Sequence, residues 1–279
     1  MPGVHAVLPL KEKFKLVSKA AQEKTMIEIK GKQIGGKDLF IIAGPCSIES
    51  KKQMQLSAAI ASQHGAHSWR GGAFKPRTSP NEFQGLGEEG LKILQDAGAE
   101  YNLVTISEVM DASQIDLVAG YIDILQIGAR NMHNFSLLKE LGRVSNPILL
   151  KRGFAATYQD LLLAAEYIMS AGNSRVILCE RGIRTFETYT RNTLDLNAVP
   201  ALKELTHLPI LVDPSHGTGH RFMVPPMARA AIAAGADGLA IEIHPDPDKA
   251  FTDAAQTIDF TVFAEMMREV NAIHKCLIM

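Results

Sequence analysis

Five side chains that are able to bind an anion lie in one short stretch, WRGGAFKPRTS, at residues 69–79: Arg70, Lys75, Arg77, Thr78 and Ser79. Arginine donates paired hydrogen bonds to phosphate or carboxylate, lysine brings a compact charge, and the hydroxyls are short donors. The alternative is a basic loop that only contacts solvent at the end of a strand. We interpret the stretch as one wall of an anion site, because charged residues also follow other predicted strands.

Four further side chains are of the types that ligate transition metals: Cys46, His216, Glu242 and Asp253. They follow the first, seventh and eighth predicted strands, which meet if the sheet closes into a barrel. A thiolate together with an imidazole favours a divalent transition metal over Mg²⁺ or Ca²⁺. Taken singly, Cys46 is better explained as a small core residue, and His216 as a hydrogen-bonded loop histidine. The predicted metal site therefore depends on the fold.

Strands and helices alternate from residue 39 onward. Apolar, β-rich runs lie at residues 39–46, 68–74, 101–107, 123–129, 147–153, 175–182, 208–217 and 237–245. Eight strands, each followed by a helical pattern, favour a closed (β/α)8 TIM barrel over an open doubly wound sheet. No GxGxxG or Walker sequence follows the first strand, which argues against a nucleotide-binding sheet. We assign residues 37–279 to the catalytic barrel and residues 251–279 to its last helix.

Residues 1–36 are predicted to be a short extension of the barrel. Residues 11–24 predict a short helix, and the alternation in MIEIKGKQI at residues 26–34 predicts a β-hairpin. Fewer than roughly 40 residues rarely bury a core of their own. The hairpin therefore has two candidate places, the N-terminal mouth of the barrel or a contact between subunits.

Composition excludes several classes of partner. The 279 residues are 46% hydrophobic and carry a net charge of −1, so bulk attraction to nucleic acid or to a membrane surface is not expected. No uncharged run is long enough to span a membrane, and the N-terminus lacks the apolar core of a signal peptide. The three cysteines are odd in number and far apart, which indicates a reducing, cytoplasmic location.

Charged residues follow most of the predicted strands, at the end where barrel enzymes have their active sites. Beyond those named above, they are Glu108, Arg130, Lys151, Arg152, Glu180, Arg181, Arg184, Asp213, His244 and Asp246. A single arginine in such a place is more often part of a structural ion pair. Cations at four or more strand ends instead fit two anionic groups, such as two phosphates or a phosphate and a carboxylate.

Together, the anion-binding stretch, the metal-ligand residues and the charged strand ends resemble those of the type I DAHP (3-deoxy-D-arabino-heptulosonate 7-phosphate) synthases. The resemblance is closest to the branch that also includes the 3-deoxy-octulosonate 8-phosphate synthases. KPRTS at residues 75–79 is similar to the DAHP synthase version, and Ala254-Ala255 replaces the usual Gly-Pro. Gly217 and His220 also depart from the residues often found there. The matching stretches are IAGPCSIES (42–50), RGGAFKPRTSP (70–80), FQGLGEEGL (83–91), DILQIGARNM (123–132), LLKRG (149–153), ILCERGIRTFE (177–187), TRNTLDL (190–196), VDPSHGTGHR (212–221) and EIHPDPDKAFTD (242–253).

The resemblance implies a condensation of phosphoenolpyruvate with erythrose 4-phosphate that releases phosphate. It implies that phosphoenolpyruvate is held by Arg70, Lys75, Arg130, Lys151 and Arg181, with Glu108 near its phosphate. Arg77, Thr78 and Ser79 would bind the aldose phosphate. Cys46, His216, Glu242 and Asp253 would bind one divalent ion, with Mn²⁺ preferred over Fe²⁺, Co²⁺ or Zn²⁺.

The expected catalytic residues are Lys75, Cys46, His216 and Asp246. Lys75 lies between the two substrate subsets and is the expected proton donor to the developing alkoxide. The group that deprotonates the attacking water stays open among Glu108, Asp246 and His244.

Two other functions remain open. One is an octulosonate-type synthase that uses arabinose 5-phosphate, and the other is an inactive barrel that binds phosphorylated metabolites. We expect a homo-oligomer, either a dimer or a tetramer, that phenylalanine, tyrosine and tryptophan do not inhibit. The alternative is regulation by a partner protein such as a chorismate mutase.

Overall fold

The computed structural model describes residues 13–75, 81 and 83–278. Two strands, β1 and β2, form an antiparallel hairpin, and eight parallel strands form a closed barrel in the order β10-β3-β4-β5-β6-β7-β8-β9. The hairpin strands are Ile27–Ile29 and Lys32–Ile34. The barrel strands β3 to β10 are Phe40–Gly44, Ser68–Arg70, Val104–Glu108, Ile124–Ile127, Ile148–Lys151, Val176–Glu180, Ile210–Val212 and Gly238–Glu242. Every predicted strand is therefore present, and the predicted TIM barrel is confirmed.

Helices surround the barrel and connect its strands. In chain order, α1 to α9 are Lys51–Gln63, Gly87–Glu100, Ile115–Tyr121, Phe135–Leu141, Tyr158–Ser170, Ala198–Leu205, Pro214–Thr218, Val224–Ala233 and Phe260–Ile278. Local signals fix several of their ends. Ser50 caps α1 by accepting a hydrogen bond from Gln53 N–H, and Thr157 with Asp160 forms a capping box at α5. Within the described residues, no helix is long and apolar enough to cross a membrane.

The hairpin closes the N-terminal end of the barrel. Ile27 and Ile34 are buried and pack with Phe40, Ile124 and other residues that point into the barrel. Lys30 pairs with Asp123 just before β6, with 2.7 Å between Nζ and Oδ2. The hairpin therefore lies at the N-terminal mouth of the barrel, which is one of the two positions expected for it.

Two sequence-based expectations were wrong in their helical details. Residues 13–24 do not form a helix. The Glu166 carboxylate of α5 accepts the backbone N–H groups of Lys15, Leu16 and Val17, each at 3.0 Å, so these donors are satisfied without one. The last helix begins at Phe260 instead of residue 251, because the chain first turns back to the barrel mouth with Asp253 in a left-handed conformation.

Candidate active site

A polar cleft lies over the carboxyl ends of the barrel strands. Nine of the predicted site residues contribute to its wall: Cys46, Arg70, Lys75, Glu108, Arg130, Lys151, Arg181, His216 and Asp253. Glu242 is buried at the end of β10, against Arg70 and His216. The predictions for Arg77, Thr78 and Ser79 lie outside the described residues.

Glycines allow two of these side chains to reach the cleft. A Cβ at Gly44, where φ is 146°, would lie 2.0 Å from the Arg70 carbonyl oxygen, so β3 approaches β4 closely just before Cys46. A Cβ at Gly128 would lie 2.2 Å from Glu108 Oε1. Glu108 therefore depends on this glycine for its space.

Cys46, Glu242 and Asp253 form a compact group of metal-ligand types, with one ligand atom from each within 4.8 Å of the others. Cys46 Sγ lies 3.1 Å from Asp253 Oδ2. His216 joins them from α7, with Nε2 at 3.5 Å from Glu242 Oε1 and 3.7 Å from Asp253 Oδ2. One sulfur, one nitrogen and two carboxylate oxygens suit a divalent transition ion, so the residues present fit such a metal.

Asp213 orients His216 for this role. Its Oδ2 atom accepts a hydrogen bond from His216 Nδ1 at 2.7 Å, and its Oδ1 accepts one from the His216 backbone N–H at 2.9 Å. Burial lowers the pKa of His216 despite the carboxylates around it. Since Nδ1 carries the proton that Asp213 accepts, Nε2 of the neutral ring is free to ligate.

Burial also controls the thiol. It raises the pKa of Cys46 to about 12, although Lys75, with its Nζ 2.9 Å from Sγ, acts in the opposite direction. A cation that binds there must displace the thiol proton. Lys75 also donates to the Cys46 carbonyl oxygen at 3.1 Å, which fixes its ammonium group at the edge of the ligand group.

Arg181 is the cleft cation whose burial leaves a donor unsatisfied in the described part of the chain. Its side chain is buried, and Nη1 has no hydrogen-bond partner. Burial lowers the pKa of Arg181, against the influence of Asp213. The guanidinium lies over the Phe154 ring, 4.8 Å from its centroid. A buried guanidinium with an unpaired donor is costly unless an anionic ligand pairs with it.

The other predicted cleft residues are held by neighbours or stand at its rim. Lys151 donates to Asp213 Oδ2 at 2.6 Å, and the same oxygen accepts from His216. Glu108 accepts from Gln126 Nε2 at 3.2 Å. Arg130 is exposed and follows the Gly128 turn at the rim.

Arg152 and Glu180 are structural. Arg152 Nη1 donates to Glu180 at 2.8 Å and to Asp195 at 2.9 Å, and its guanidinium lies over the Tyr158 ring. Lys151 and Arg152 are adjacent in sequence, so they point to opposite sides of the strand. Only Lys151 reaches the cleft.

Asp246 and His244 are not brought into the cleft. The Asp246 carboxylate pairs with Lys249 at 2.7 Å, and the His244 ring lies 3.3 Å from Glu49.

Sequence reasoning missed Asp213 as the partner of His216, although its position three residues earlier, before Pro214, is a helix-capping signal. It also missed Arg191 and Gln256, which contact the carboxylates of the ligand group.

The fold and the site together define a (β/α)8-barrel enzyme with a cation-lined cleft beside a metal-ligand cluster. A phospho-2-dehydro-3-deoxyheptonate aldolase of Thermotoga maritima is 48% identical over 275 residues, which are 98% of this chain and 81% of the relative. A 2-dehydro-3-deoxyphosphooctonate aldolase of Xylella fastidiosa is 32% identical over 259 residues, covering 85% of this chain and 92% of the relative.

Solved structures agree. The crystal structure of a DAHP synthase from Thermotoga maritima has a TM-score of 0.94 and 47% identity, covering 99% of this chain and 82% of that one. A truncated 3-deoxy-D-arabino-heptulosonate 7-phosphate synthase of the same organism has a TM-score of 0.89 and 45% identity, covering 95% and 97%. The chain belongs to the DAHP synthetase I family, whose model matches residues 15–276. It is therefore an enzyme of the DAHP synthase type, as its sequence motifs predicted.

Proposed function

We propose that this chain condenses phosphoenolpyruvate with erythrose 4-phosphate in a metal-dependent reaction. The products are 3-deoxy-D-arabino-heptulosonate 7-phosphate and phosphate, in the first step of the shikimate route to aromatic amino acids. The observation that carries the proposal is the buried, unpaired guanidinium of Arg181 in a cleft that also contains a cluster of metal-ligand types. Such a cleft suits a small polyanion that reacts beside a divalent ion.

Phosphoenolpyruvate is assigned to Arg70, Lys75, Arg130, Lys151 and Arg181, all of which line the cleft. Buried cations are suited to neutralise a phosphate and a carboxylate in a partly enclosed site. Arg77, Thr78 and Ser79 are assigned to the phosphate of the aldose. That division is taken from the family resemblance of residues 75–79.

The metal is assigned to Cys46, His216, Glu242 and Asp253, with Mn²⁺ first among Fe²⁺, Co²⁺ and Zn²⁺. A divalent ion in this place supplies Lewis-acid polarisation of the aldehyde oxygen. The chain itself aligns the substrates, so that C3 of phosphoenolpyruvate forms a bond to the aldehyde carbon. Lys75, whose Nζ lies beside Cys46, donates the proton that the resulting alkoxide takes up.

Water then adds at C2, and phosphate leaves by cleavage of its bond to that carbon. Of the three bases that the sequence left open, Glu108 is the one that lines the cleft. Asp246 and His244 have other partners, Lys249 and Glu49. We therefore assign the removal of the water proton to Glu108 and give Asp246 no catalytic role.

An octulosonate-type synthase is the second candidate, because a 2-dehydro-3-deoxyphosphooctonate aldolase is 32% identical. The higher identity to the heptonate enzyme, 48%, and the KPRTS sequence favour erythrose 4-phosphate. We also propose a cytoplasmic homo-oligomer, a dimer or tetramer, that acts without nucleic acid or membrane. A chorismate mutase is the proposed partner if a separate protein regulates it.

The test is phosphate release from phosphoenolpyruvate by the purified chain, with erythrose 4-phosphate or arabinose 5-phosphate as acceptor. We expect activity with Mn²⁺ and erythrose 4-phosphate, loss of it with EDTA, and loss in Cys46→Ser with the fold retained. Preference for arabinose 5-phosphate would support the second candidate. No release with either aldose, with every metal tried, would indicate an inactive barrel. Full activity in EDTA would contradict the metal assignment.

A matched pair of variants tests the division of the cations. Arg181→Ala is expected to raise the KM for phosphoenolpyruvate, and Arg77→Ala the KM for the aldose phosphate. The same pattern in both variants would show that the division is wrong.

A further inference from the structure

Arg191 and Gln256 connect the two carboxylates of the ligand cluster from outside it. Arg191 lies in the loop between β8 and α6, and Gln256 lies in the short 3-10 turn that follows Asp253. Arg191 Nη1 donates to Asp253 Oδ1 at 3.0 Å and to Gln256 Oε1 at 2.7 Å. Gln256 Nε2 donates to Glu242 Oε2 at 2.5 Å. The contacts form an unbroken chain from Asp253 to Glu242.

The orientation of the Gln256 amide is fixed by this chain. Its oxygen faces a guanidinium, which only donates, and its nitrogen faces a carboxylate, which only accepts. Turning the amide over would place donor against donor and acceptor against acceptor. The Gln256 side chain is also buried, so water is a poor substitute for either partner.

Each carboxylate is consequently left with one oxygen toward the other ligand atoms. For Asp253 this is Oδ2, at 3.1 Å from Cys46 Sγ and 3.7 Å from His216 Nε2. For Glu242 it is Oε1, at 3.5 Å from His216 Nε2, and this oxygen also accepts a hydrogen bond from Arg70 Nη1 at 2.6 Å. The outer oxygens, Oδ1 and Oε2, are the ones that Arg191 and Gln256 occupy.

Arg191 also contributes charge. A thiolate and two carboxylates would bring three negative charges to a divalent ion, and Arg191 compensates part of this excess from outside. Its charge also reaches Arg181, where it helps burial to lower the pKa. Arg191 therefore acts electrostatically both on the carboxylates of the ligand cluster and on Arg181.

We propose that Arg191 and Gln256 are positioning residues for the metal, and that they make Asp253 and Glu242 one-oxygen ligands of a divalent transition ion. The proposal rests on the proposed metal site. Groups that orient ligands in this way typically change metal affinity by about 10–100-fold when they are removed. Because both residues belong to one chain of contacts, the effects of removing them should not add.

The experiment is a Co²⁺ titration of the full chain, followed by the near-ultraviolet thiolate-to-cobalt absorption and by the visible cobalt bands. Arg191→Met and Gln256→Met keep side-chain length and remove the hydrogen bonds. We expect each to weaken Co²⁺ binding about 10–100-fold, with the double variant little weaker than the single ones. The visible bands should also lose intensity, because a freed second carboxylate oxygen raises the coordination number.

Arg221→Met is the matched control. Arg221 pairs with Asp248 of the β10–α9 loop and donates to the Ala254 carbonyl oxygen, so its hydrogen bonds in the described part of the chain go to groups other than the ligand carboxylates. We expect its affinity for Co²⁺ to be that of the wild type. Urea unfolding of each variant separates a loss of metal from a loss of fold, and Arg191→Lys should recover part of the affinity.

The outcomes separate this inference from the metal assignment. No thiolate absorption in the wild type would overturn the metal site itself. Tight Co²⁺ binding by the wild type, Arg191→Met and Gln256→Met alike would overturn only the positioning role. An equal loss in Arg221→Met would also overturn it, because the effect would then belong to the loop as a whole.

Discussion

Arg70 and Glu242 form a buried ion pair across the barrel mouth, with 2.6 Å between Nη1 and Oε1. One was predicted to bind phosphoenolpyruvate and the other to bind a metal, so the two predicted subsets are in direct contact. Burial opposes the charge of Arg70, but Glu242, Cys46 and Asp213 together outweigh it and hold the pKa of the arginine above its usual value. The charge of Arg70, a predicted substrate-binding residue, is therefore coupled directly to the charge of Glu242, a predicted metal ligand.

Replacing Arg70 tests this coupling. Arg70→Met leaves the Glu242 carboxylate buried without its main cationic partner. We expect the free energy of unfolding of the metal-free chain to fall by about 3–5 kcal/mol, the usual cost of breaking a buried pair. The measurement is urea unfolding in EDTA.

The control is the double variant Arg70→Met with Glu242→Gln, which removes the stranded charge. It should be more stable than Arg70→Met alone. If both variants are equally unstable, the loss comes from packing at Arg70 and the ion pair has no special role.

Arg181 and Arg152 should respond in opposite directions to the same substitution. Arg181 is buried with an unpaired donor, whereas Arg152 pairs with Glu180 and Asp195. Arg181→Met should stabilise the ligand-free chain by about 1–3 kcal/mol, because an unsatisfied buried group is removed. Arg152→Met should destabilise it by about 3–5 kcal/mol. Urea unfolding of both variants provides the comparison.

Stabilisation of the chain by phosphoenolpyruvate provides a second test of Arg181. Phosphoenolpyruvate should raise the unfolding midpoint of the wild type, and much less that of Arg181→Met, since a ligand stabilises only the state that binds it. An Arg181→Met chain that is less stable than the wild type without ligand would contradict our description of this cation.

The sequence predicted the barrel because each strand is a short apolar run bounded by turn or cap signals. It also predicted that Lys151 and Arg181 are near the site, because the carboxyl ends of all parallel strands meet at one mouth. Strand pattern alone could not separate Lys151 from Arg152, since the phase of the strand decides which one faces the cleft; only the family resemblance selected Lys151. Arg191 and Gln256 lie outside the strands, and their contacts depend on how the loops fold together.

The free energy of unfolding at high pH should depend on the ionisation of Tyr158. Burial, followed by the hydrogen bond to Asp195, raises the pKa of Tyr158 to about 12 from its ordinary value of 10.0. Between these values the folded chain keeps a proton that the unfolded chain loses, so its contribution to stability falls as the pH rises. In Tyr158→Phe this decline is absent.

The measurement is urea unfolding of both proteins at about pH 8 and about pH 11, on either side of the ordinary tyrosine pKa. At the lower pH the variant should be less stable by about 1.5–3 kcal/mol, the range for a hydrogen bond to a charged group. The gap between the proteins should narrow at the higher pH. A constant gap would mean that Tyr158 titrates normally.

Feedback inhibition by aromatic amino acids is not expected for the chain as it stands. Residues 13–36, which precede the barrel, pack against it. Phe14 and Val17 are buried in the core on the helical side, and Ile27 and Ile34 close the N-terminal mouth. A segment used in this way has little freedom to switch between two states, and allostery requires such states.

Phenylalanine, tyrosine or tryptophan at millimolar concentration should therefore leave the initial rate of the purified chain unchanged. The assay should be repeated with phosphoenolpyruvate near its KM, where a competitive effect would be visible. Marked inhibition by any of the three would refute the prediction, and Ile34→Ala would then test whether the hairpin transmits it.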